Sequence, residues 1–186
     1  MPTPRRRSDP AGSTAPVEVN GWKIYAHPLF MDQFEALLGE VEQLRAADPK
    51  GFREKKKTKL LAAVIRMAFE MIPRNPADRM FLQGNTLGPS YRHWHRGKFF
   101  EGRFRLFFRF SSAARVIVLA WVNDAETLRT YGSKTDAYSV FKGMLDKHRP
   151  PDNWDALFAE AKAAVTRSRK LLERAVKEET PTANDG

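Results

Sequence analysis

Residues 103–110 constrain the fold of this chain most strongly, because arginine and apolar side chains alternate along the segment. Successive side chains of a β-strand point to opposite faces of the sheet, so each face can be described separately. One face would be wholly apolar and predicts contact with a core. The other would present guanidinium groups at intervals of about 7 Å, twice the ~3.3 Å rise per residue. The cationic face carries Arg103, Arg105, Phe107 and Arg109, and the apolar face carries Phe104, Leu106, Phe108 and Phe110.

Two further strand-like runs flank this segment, residues 94–99 before it and residues 116–122 after it. The connections are residues 100–102 and residues 111–113, and both are short enough for antiparallel hairpins. The sequence therefore predicts a three-stranded antiparallel meander with the cationic strand in the middle.

The first hairpin is expected to bring like charges together. A connection from Phe99 to Gly102 would set Lys98 opposite Arg103 and Arg96 opposite Arg105, which is destabilising unless an anion offsets the charges. Two readings stay open: a face for single-stranded nucleic acid, with interleaved aromatic residues for base stacking, or a solvated basic face. The residues on this face of the first strand are Arg92, Trp94, Arg96 and Lys98.

Helical periodicity marks much of the remaining chain. Apolar residues recur at helical spacing over residues 30–44, residues 60–72 and residues 154–172, and a further helix is expected over residues 136–147. A short strand is expected at residues 22–25. This order of elements predicts an α+β domain with helices packed on one face of a mostly antiparallel sheet.

The composition divides the chain into one domain with two arms. Its 186 residues are enough for one domain of ordinary size. Residues 1–18 are rich in Pro, Ser, Ala and Arg and are expected to form a flexible N-terminal arm, and residues 177–186 a flexible C-terminal tail. The folded domain is therefore expected over residues 19–176.

The charge balance indicates a polyanionic partner. Lys and Arg number 32 against 22 Asp and Glu, for a formal net charge of +10. Nucleic acid is the first candidate, followed by an anionic membrane surface and an acidic protein. The N terminus lacks an apolar signal region, and the longest apolar run is far shorter than the ~20 residues of a membrane helix. We therefore expect a cytoplasmic protein that does not span a membrane.

The sequence offers no ligand set for a cofactor. It has no cysteine, which excludes disulfides, cysteine-bound zinc, iron–sulfur clusters and thiol nucleophiles. No carboxylate or cysteine stands at a metal-ligand spacing beside the histidines, so no metal and no cofactor are expected. The histidines are His27, His93, His95 and His148.

Four blocks of this sequence, in order, resemble the YhaV toxins of bacterial toxin–antitoxin systems. They are VNGW and YAHP within residues 19–28, KLLA at residues 59–62, GRFRLFFR at residues 102–109 and WVNDAETLRTYGSKTDAY at residues 121–138. The resemblance covers about residues 17–160.

The resemblance implies a RelE-like fold and an endoribonuclease that cleaves mRNA, free or on the ribosome, and so arrests translation. It also implies a PrlF-like antitoxin of the AbrB type as partner, with contact to operator DNA only through the antitoxin complex. By position, Lys98, Arg103 and Arg105 resemble the sheet cations of this family, and Lys134 and Tyr138 resemble its last basic residue and its tyrosine.

Cleavage of this kind needs a 2′-hydroxyl that loses its proton while it attacks the neighbouring phosphate. Cations would stabilise the pentavalent phosphate, and Arg129 or Lys134 beside Tyr138 would favour a phenolate that exchanges a proton. The expected catalytic residues are Lys98, Arg103, Arg105, Arg129, Lys134 and Tyr138. The expected RNA-binding residues are Arg92, Trp94, Arg96, Phe107, Arg109 and Tyr131.

Several interpretations remain open at this stage. Tyr138 fits a core aromatic as well as a catalytic residue, Asp136 fits a helix cap or an ion pair better than a base, and Asn123–Asp124 fits a turn as well as a site. A RelE-like fold also hosts non-enzymatic poisons, such as ParE-like inhibitors of gyrase, because a fold does not determine one function. A basic DNA-binding regulator is a third possibility, although no helix-turn-helix or zinc-finger pattern supports it.

Overall fold

Five strands form one sheet in the computed structural model, which describes residues 14–179. They are β1 Val17–Val19, β2 Trp22–Ala26, β3 His95–Phe99, β4 Phe104–Ser111 and β5 Val116–Val122, in the spatial order β1-β2-β5-β4-β3. The meander β3-β4-β5 is antiparallel, as predicted, but β2 pairs with β5 in parallel. The sheet is therefore mixed, and its other three pairings are antiparallel, in agreement with the prediction of a mostly antiparallel sheet.

The helices follow the apolar periodicity of the sequence, with one additional break. They are α1 Pro28–Ala47, α2 Lys56–Arg66, α3 Ile72–Arg74, α4 Ala137–Asp146, α5 Trp154–Ala163 and α6 Val165–Glu179. A π-helical turn at Met67–Met71 joins α2 to α3. The C-terminal apolar stripe, expected to form one helix, is split at Ala164 into α5 and α6.

The prediction that helices pack on one face of the sheet is wrong, because both faces are covered. Leu106 and Phe108 pack with Phe34 and Leu38 of α1 in one core, to which α2 and α6 also contribute. The residues of β4 that point the other way, represented by Phe107, lie in a second core with α4 and α5. The physical reason is visible in β5, whose seven residues are all buried, since a strand that is apolar on both sides needs cover on both sides.

The β3–β4 hairpin keeps the predicted faces but shifts the predicted register by two residues. Phe99 pairs with Phe104, so Lys98 lies opposite Arg105 and Arg96 lies opposite Phe107. A shift of two residues leaves every side chain on the same face, whereas a shift of one would have reversed them.

The ends of the described chain extend the ordered part beyond the expected domain. Val17–Val19 forms β1 and pairs with β2, although the first two of these residues were expected in the N-terminal arm. At the other end α6 continues to Glu179, past the expected start of the tail at residue 177. Residues 1–13 and 180–186, which make up the rest of the expected arms, lie outside the described residues. Among the helices of the described chain, none has both the length and the apolar character needed to cross a membrane.

Candidate active site

Tyr138 is placed against the sheet by the first turn of α4. Asp136 caps this helix, because its Oδ2 accepts a hydrogen bond from the Tyr138 backbone N–H at 3.0 Å. Further along α4, Phe141 stacks on Phe107 of β4 with ring centroids 4.2 Å apart. The cap and the stacked ring together direct the Tyr138 hydroxyl toward the cationic residues of β3 and β4.

Two arginines from neighbouring strands converge on the Tyr138 hydroxyl. Arg96 of β3 donates from Nε to this oxygen at 2.8 Å, and Arg105 of β4 donates from Nε at 3.2 Å. The exposed fractions of Arg96, Arg105 and Tyr138 are 7%, 4% and 5%, so the contact lies inside the protein. Tyr138 is thus a core aromatic and a member of a polar cluster at once, and the two interpretations drawn from the sequence do not exclude each other.

The other hydrogen bonds of these arginines go to backbone carbonyl groups. Arg96 donates from Nη1 to the Met80 carbonyl at 2.8 Å, and Arg105 donates from Nη1 to the carbonyls of Gly102 and Phe104. Within residues 14–179, neither guanidinium forms an ion pair with a carboxylate. Because buried charges are costly without a counter-charge, this cluster is suited to an anionic group.

Arg129 adds a third guanidinium to the cluster from the segment between β5 and α4. It lies over the ring of Tyr138 at 4.7 Å and over the ring of Tyr131 at 3.8 Å. Its Nη1 donates to Asp136 Oδ1 at 2.6 Å. Tyr131 is 82% exposed, so the cluster reaches solvent at this residue. Asp136 therefore both caps α4 and pairs with a cation, as the sequence favoured.

The ionised form of Asp136 is stabilised by its neighbours. Burial raises the pKa of its carboxyl, but hydrogen bonds from Arg129 and from the backbone N–H groups of Thr130 and Tyr138 outweigh burial and leave this pKa below its ordinary value. The carboxylate is therefore a fixed negative charge that holds Arg129 in place.

Asn123 positions the start of β4, and sequence reasoning treated it only as a turn or site residue. Its side chain is buried, accepts the Arg105 backbone N–H at 2.7 Å and donates to the carbonyls of Arg103 and Thr127. Its neighbour Asp124 accepts hydrogen bonds from the backbone N–H groups of the following residues, which is turn chemistry. An asparagine directly after an apolar strand was the available signal for this role.

The remaining catalytic candidates are exposed residues that neighbour the cluster in the sheet or along the chain. Lys98 is exposed and is the register partner of Arg105, so both side chains belong to the same face of the sheet. Arg103 is exposed just before β4, and Lys134 is exposed in the segment that leads into α4. We call Lys98, Arg103, Tyr131 and Lys134 the exposed rim.

Two of the expected RNA-binding residues, Trp94 and Phe107, are fully buried, and a third, Arg109, is half-buried. Trp94 and Phe107 have exposed fractions of 0%, so the prediction that they stack on bases is wrong for this arrangement. Arg109 is half-buried, its guanidinium lies over the rings of Trp94 and Trp154, and it donates to the Asp152 carbonyl. The reason is that α4 and α5 cover the face that the sequence left open.

Two further members of the expected RNA-binding set, one before β3 and one within it, have different positions. Arg92 is exposed, but its Nε donates to the Asn85 side chain at 2.6 Å. Arg96 is buried within the cluster, where it contacts Tyr138. The structure therefore brings together Arg96, Arg105, Arg129 and Tyr138. Arg92 and Arg109 contact other residues instead.

The described part of the chain holds no group of three or more histidine, aspartate or glutamate side chains arranged to bind a metal ion. The sequence has no cysteine to add to such a group.

Comparison with known proteins gives a consistent result. A family model described as a toxin with endonuclease activity, of a toxin–antitoxin system, under the family name Toxin_YhaV, matches residues 24–162. Relatives named Ribonuclease toxin YhaV in Escherichia coli (strain K12) and Toxin YhaV in Escherichia coli O157:H7 are each 49% identical over 146 residues, which cover 78% of this chain and 95% of each relative. Toxin YhaV of Escherichia coli O6:H1 gives the same identity and coverage. No solved structure gives a significant match.

Proposed function

This chain belongs to the YhaV family of toxins, and from that membership we propose that it is an endoribonuclease that cleaves mRNA by attack of the 2′-hydroxyl on the adjacent phosphate. As the toxin of a toxin–antitoxin pair it inhibits translation and growth when its antitoxin is absent. We also propose that it acts in the cytoplasm, where mRNA is translated.

The observation that carries the mechanism is the convergence of Arg96 and Arg105 on the Tyr138 hydroxyl. Two charged N–H donors fix the position of this hydroxyl between two cations, and a hydroxyl held in this way can act in proton exchange with an RNA 2′-hydroxyl. Arg96 takes no part in this step beyond holding the oxygen, and we assign it a positioning role.

Stabilisation of the reacting phosphate is assigned to the cations around this oxygen. The guanidinium groups of Arg105 and Arg129 both lie against the ring of Tyr138. Fixed positive charge at the point where negative charge develops is the largest contribution to transition-state stabilisation in many enzymes. Lys98, Arg103 and Lys134 are exposed and would bind the flanking phosphates of the strand. This chemistry requires no metal ion.

Access of RNA is proposed to begin at the exposed rim. The Arg129 guanidinium lies over the ring of the buried Tyr138, whereas Tyr131 and Lys134 of the same segment face solvent. A base stacked on Tyr131 and a phosphate held by Lys134 would draw this segment outward, and the phosphate would then replace the backbone carbonyls as the acceptor for Arg105.

Two finer assignments accompany this function. We propose that the fold is RelE-like, supported by its order of strands and helices from β2 to α4. We further propose a PrlF-like antitoxin of the AbrB type as the partner, with operator DNA contacted only through the complex, and mRNA as the substrate whether free or on the ribosome.

The decisive experiment compares Tyr138→Phe with Tyr91→Phe. Each variant loses one hydroxyl, but that of Tyr91 donates to Asp146, away from the arginine cluster. We expect Tyr138→Phe to lose at least about a hundredfold in cleavage of a defined RNA, the usual size of a proton-transfer contribution, and Tyr91→Phe to retain activity. Equal activity of both variants would reject the role of Tyr138. If the wild-type protein cleaves no RNA with or without ribosomes but inhibits gyrase, the non-enzymatic alternative is correct.

A further inference from the structure

A cavity of about 140 Å³ lies at the end of the sheet nearest the exposed rim. It is enclosed by the start of α2, the β3–β4 turn and the segment after β5. Its volume is well below the roughly 300–1,000 Å³ of pockets for drug-sized ligands, so it suits a single ring-sized group. We call it the turn cavity and define it by Lys56, Leu60, Phe100, Arg103, Phe104 and Leu128.

The walls of the turn cavity are apolar and partly aromatic. Leu60 and Leu128 face it from the two sides, and the rings of Phe100 and Phe104 meet edge to face with centroids 5.9 Å apart. Phe100 has a φ of 52° and Glu101 a φ of 60°, in the left-handed region that non-glycine residues seldom occupy. The turn therefore holds Phe100 at the cavity in a conformation that costs energy, and such costs are concentrated at functional positions.

Positive charge surrounds the mouth of the turn cavity. Three cations, Lys56, Lys57 and Arg103, line it against a single carboxylate, Glu101, among the described residues. Lys57 is held by Glu40 at 2.8 Å, whereas Lys56 and Arg103 are exposed. An apolar, ring-sized space with free cations at its mouth matches a nucleobase with its attached phosphates.

The turn cavity is continuous along the chain with the proposed active site. Arg103 stands two residues before Arg105, a distance of about 7 Å along an extended chain. Leu128 directly precedes Arg129, which contacts Tyr138. Phe104 and Arg105 point to opposite faces of the sheet, so the cavity and the Tyr138 cluster lie on opposite faces and approach each other at the end of the sheet, where Arg103 is exposed. An RNA strand that passes Arg103 around this end can place a nucleotide near the cut in the cavity.

We propose that the turn cavity binds one nucleobase of the RNA, next to the cleaved phosphate, and thereby sets the sequence preference of cleavage at that position. The proposal rests on the endoribonuclease function described above. It assigns Phe100, Phe104 and Leu128 to base contact and Lys56 and Arg103 to the phosphates on either side.

The test fills the cavity without touching the catalytic cluster. Ala125 is exposed and lines the cavity, so Ala125→Phe adds a ring at the cavity wall and reduces the space for a base. Ala113→Phe is the matched control, because Ala113 is equally exposed but lies in the β4–β5 turn at the opposite end of β4. Thermal unfolding of both variants verifies that neither substitution disturbs the fold.

Two measurements follow for each variant. The first sequences the product ends from a pool of RNAs with randomised bases, and we expect Ala125→Phe to abolish the base preference at one position beside the cut while the other positions keep theirs. The second measures binding of an uncleavable 2′-O-methyl oligonucleotide that carries the preferred base, and we expect about tenfold weaker binding for Ala125→Phe alone.

The outcomes separate the two proposals. An unchanged preference and unchanged binding in Ala125→Phe would overturn the base-binding role, even if the wild type cleaves RNA. If the wild type does not cleave RNA, the nuclease proposal fails, and the cavity is then tested by selecting bound sequences from a randomised 2′-O-methyl RNA pool with the wild type and with Ala125→Phe. Weaker antitoxin binding in Ala125→Phe, with both RNA measurements unchanged, would assign the cavity to the partner protein and overturn the proposal.

Discussion

The Nε of Arg96 donates to the Tyr138 hydroxyl over 2.8 Å and thereby joins the edge strand β3 to the first turn of α4. Both side chains are buried, so this contact belongs to the core as well as to the proposed site. Substitutions in the cluster should therefore change stability and activity together, whereas substitutions in the exposed rim should change activity alone.

Arg105→Ala tests this coupling. We expect loss of RNA cleavage together with a loss of about 1–3 kcal/mol in the free energy of unfolding, because the substitution removes a buried guanidinium and the three hydrogen bonds that it donates. Urea unfolding and cleavage of a defined RNA measure the two effects. The control, Arg103→Ala, should lose activity with a stability change within about 0.5 kcal/mol, because Arg103 is exposed. Full stability in Arg105→Ala would contradict the buried arrangement.

The pH dependence of stability should report on Asp136. The pKa of this carboxyl is lowered in the folded protein from an ordinary value of 3.8. A lowered pKa means that the unfolded chain binds the proton more tightly, so the stabilisation is fully present above about pH 4 and is lost as the pH falls through the folded pKa. We expect Asp136→Asn to be less stable than the wild type at pH 7 and to lose less stability on acidification. If the urea midpoints of unfolding of the two proteins decrease by the same amount between pH 7 and pH 3, this expectation is wrong.

Chelation tests the proposed source of transition-state stabilisation. Because Arg105 and Arg129 are assigned to the phosphate, we expect full cleavage in excess EDTA and products with a 2′,3′-cyclic or 3′-phosphate and a 5′-hydroxyl. Mass spectrometry of the product ends provides the measurement. If EDTA inhibits cleavage, a divalent metal restores it and the products carry 5′-phosphate ends, the proposed mechanism is wrong.

Antitoxin binding is expected to depend on the exposed rim. An acidic partner segment cannot lie on the inner cationic face of the sheet, because α4 and α5 occupy it, but it can reach Lys98 and Arg103. We expect the double variant Lys98→Glu, Arg103→Glu to weaken both RNA and antitoxin binding and to reduce the salt dependence of antitoxin association. Titration calorimetry at two salt concentrations measures the effect. The control Lys50→Glu, Lys147→Glu reverses two exposed cations outside the rim. Unchanged antitoxin affinity in the rim variant would place the inhibitory surface elsewhere.

The sequence alone determined four of the five strands and the two faces of the meander, whereas Lys134 and Tyr138 were expected at the site only from the resemblance to the YhaV toxins. Alternation in residues 103–110 separates the apolar from the cationic side chains, because successive side chains of a strand point to opposite faces whatever the strand packs against. The helical stripe of α1 and the cap of α4 by Asp136 were likewise local, since each depends on residues within a few positions.

Only the tertiary structure decided what covers the cationic face. Whether α4 and α5 pack on the same side of the sheet as α1 or on the opposite side depends on the path of long connections, and the apolar stripe of a helix does not identify its partner. For this reason Arg96, Trp94 and Phe107 were expected at the surface and lie inside. The hydrogen bond between Arg96 and Tyr138 spans 42 positions, and no local pattern carries such a contact.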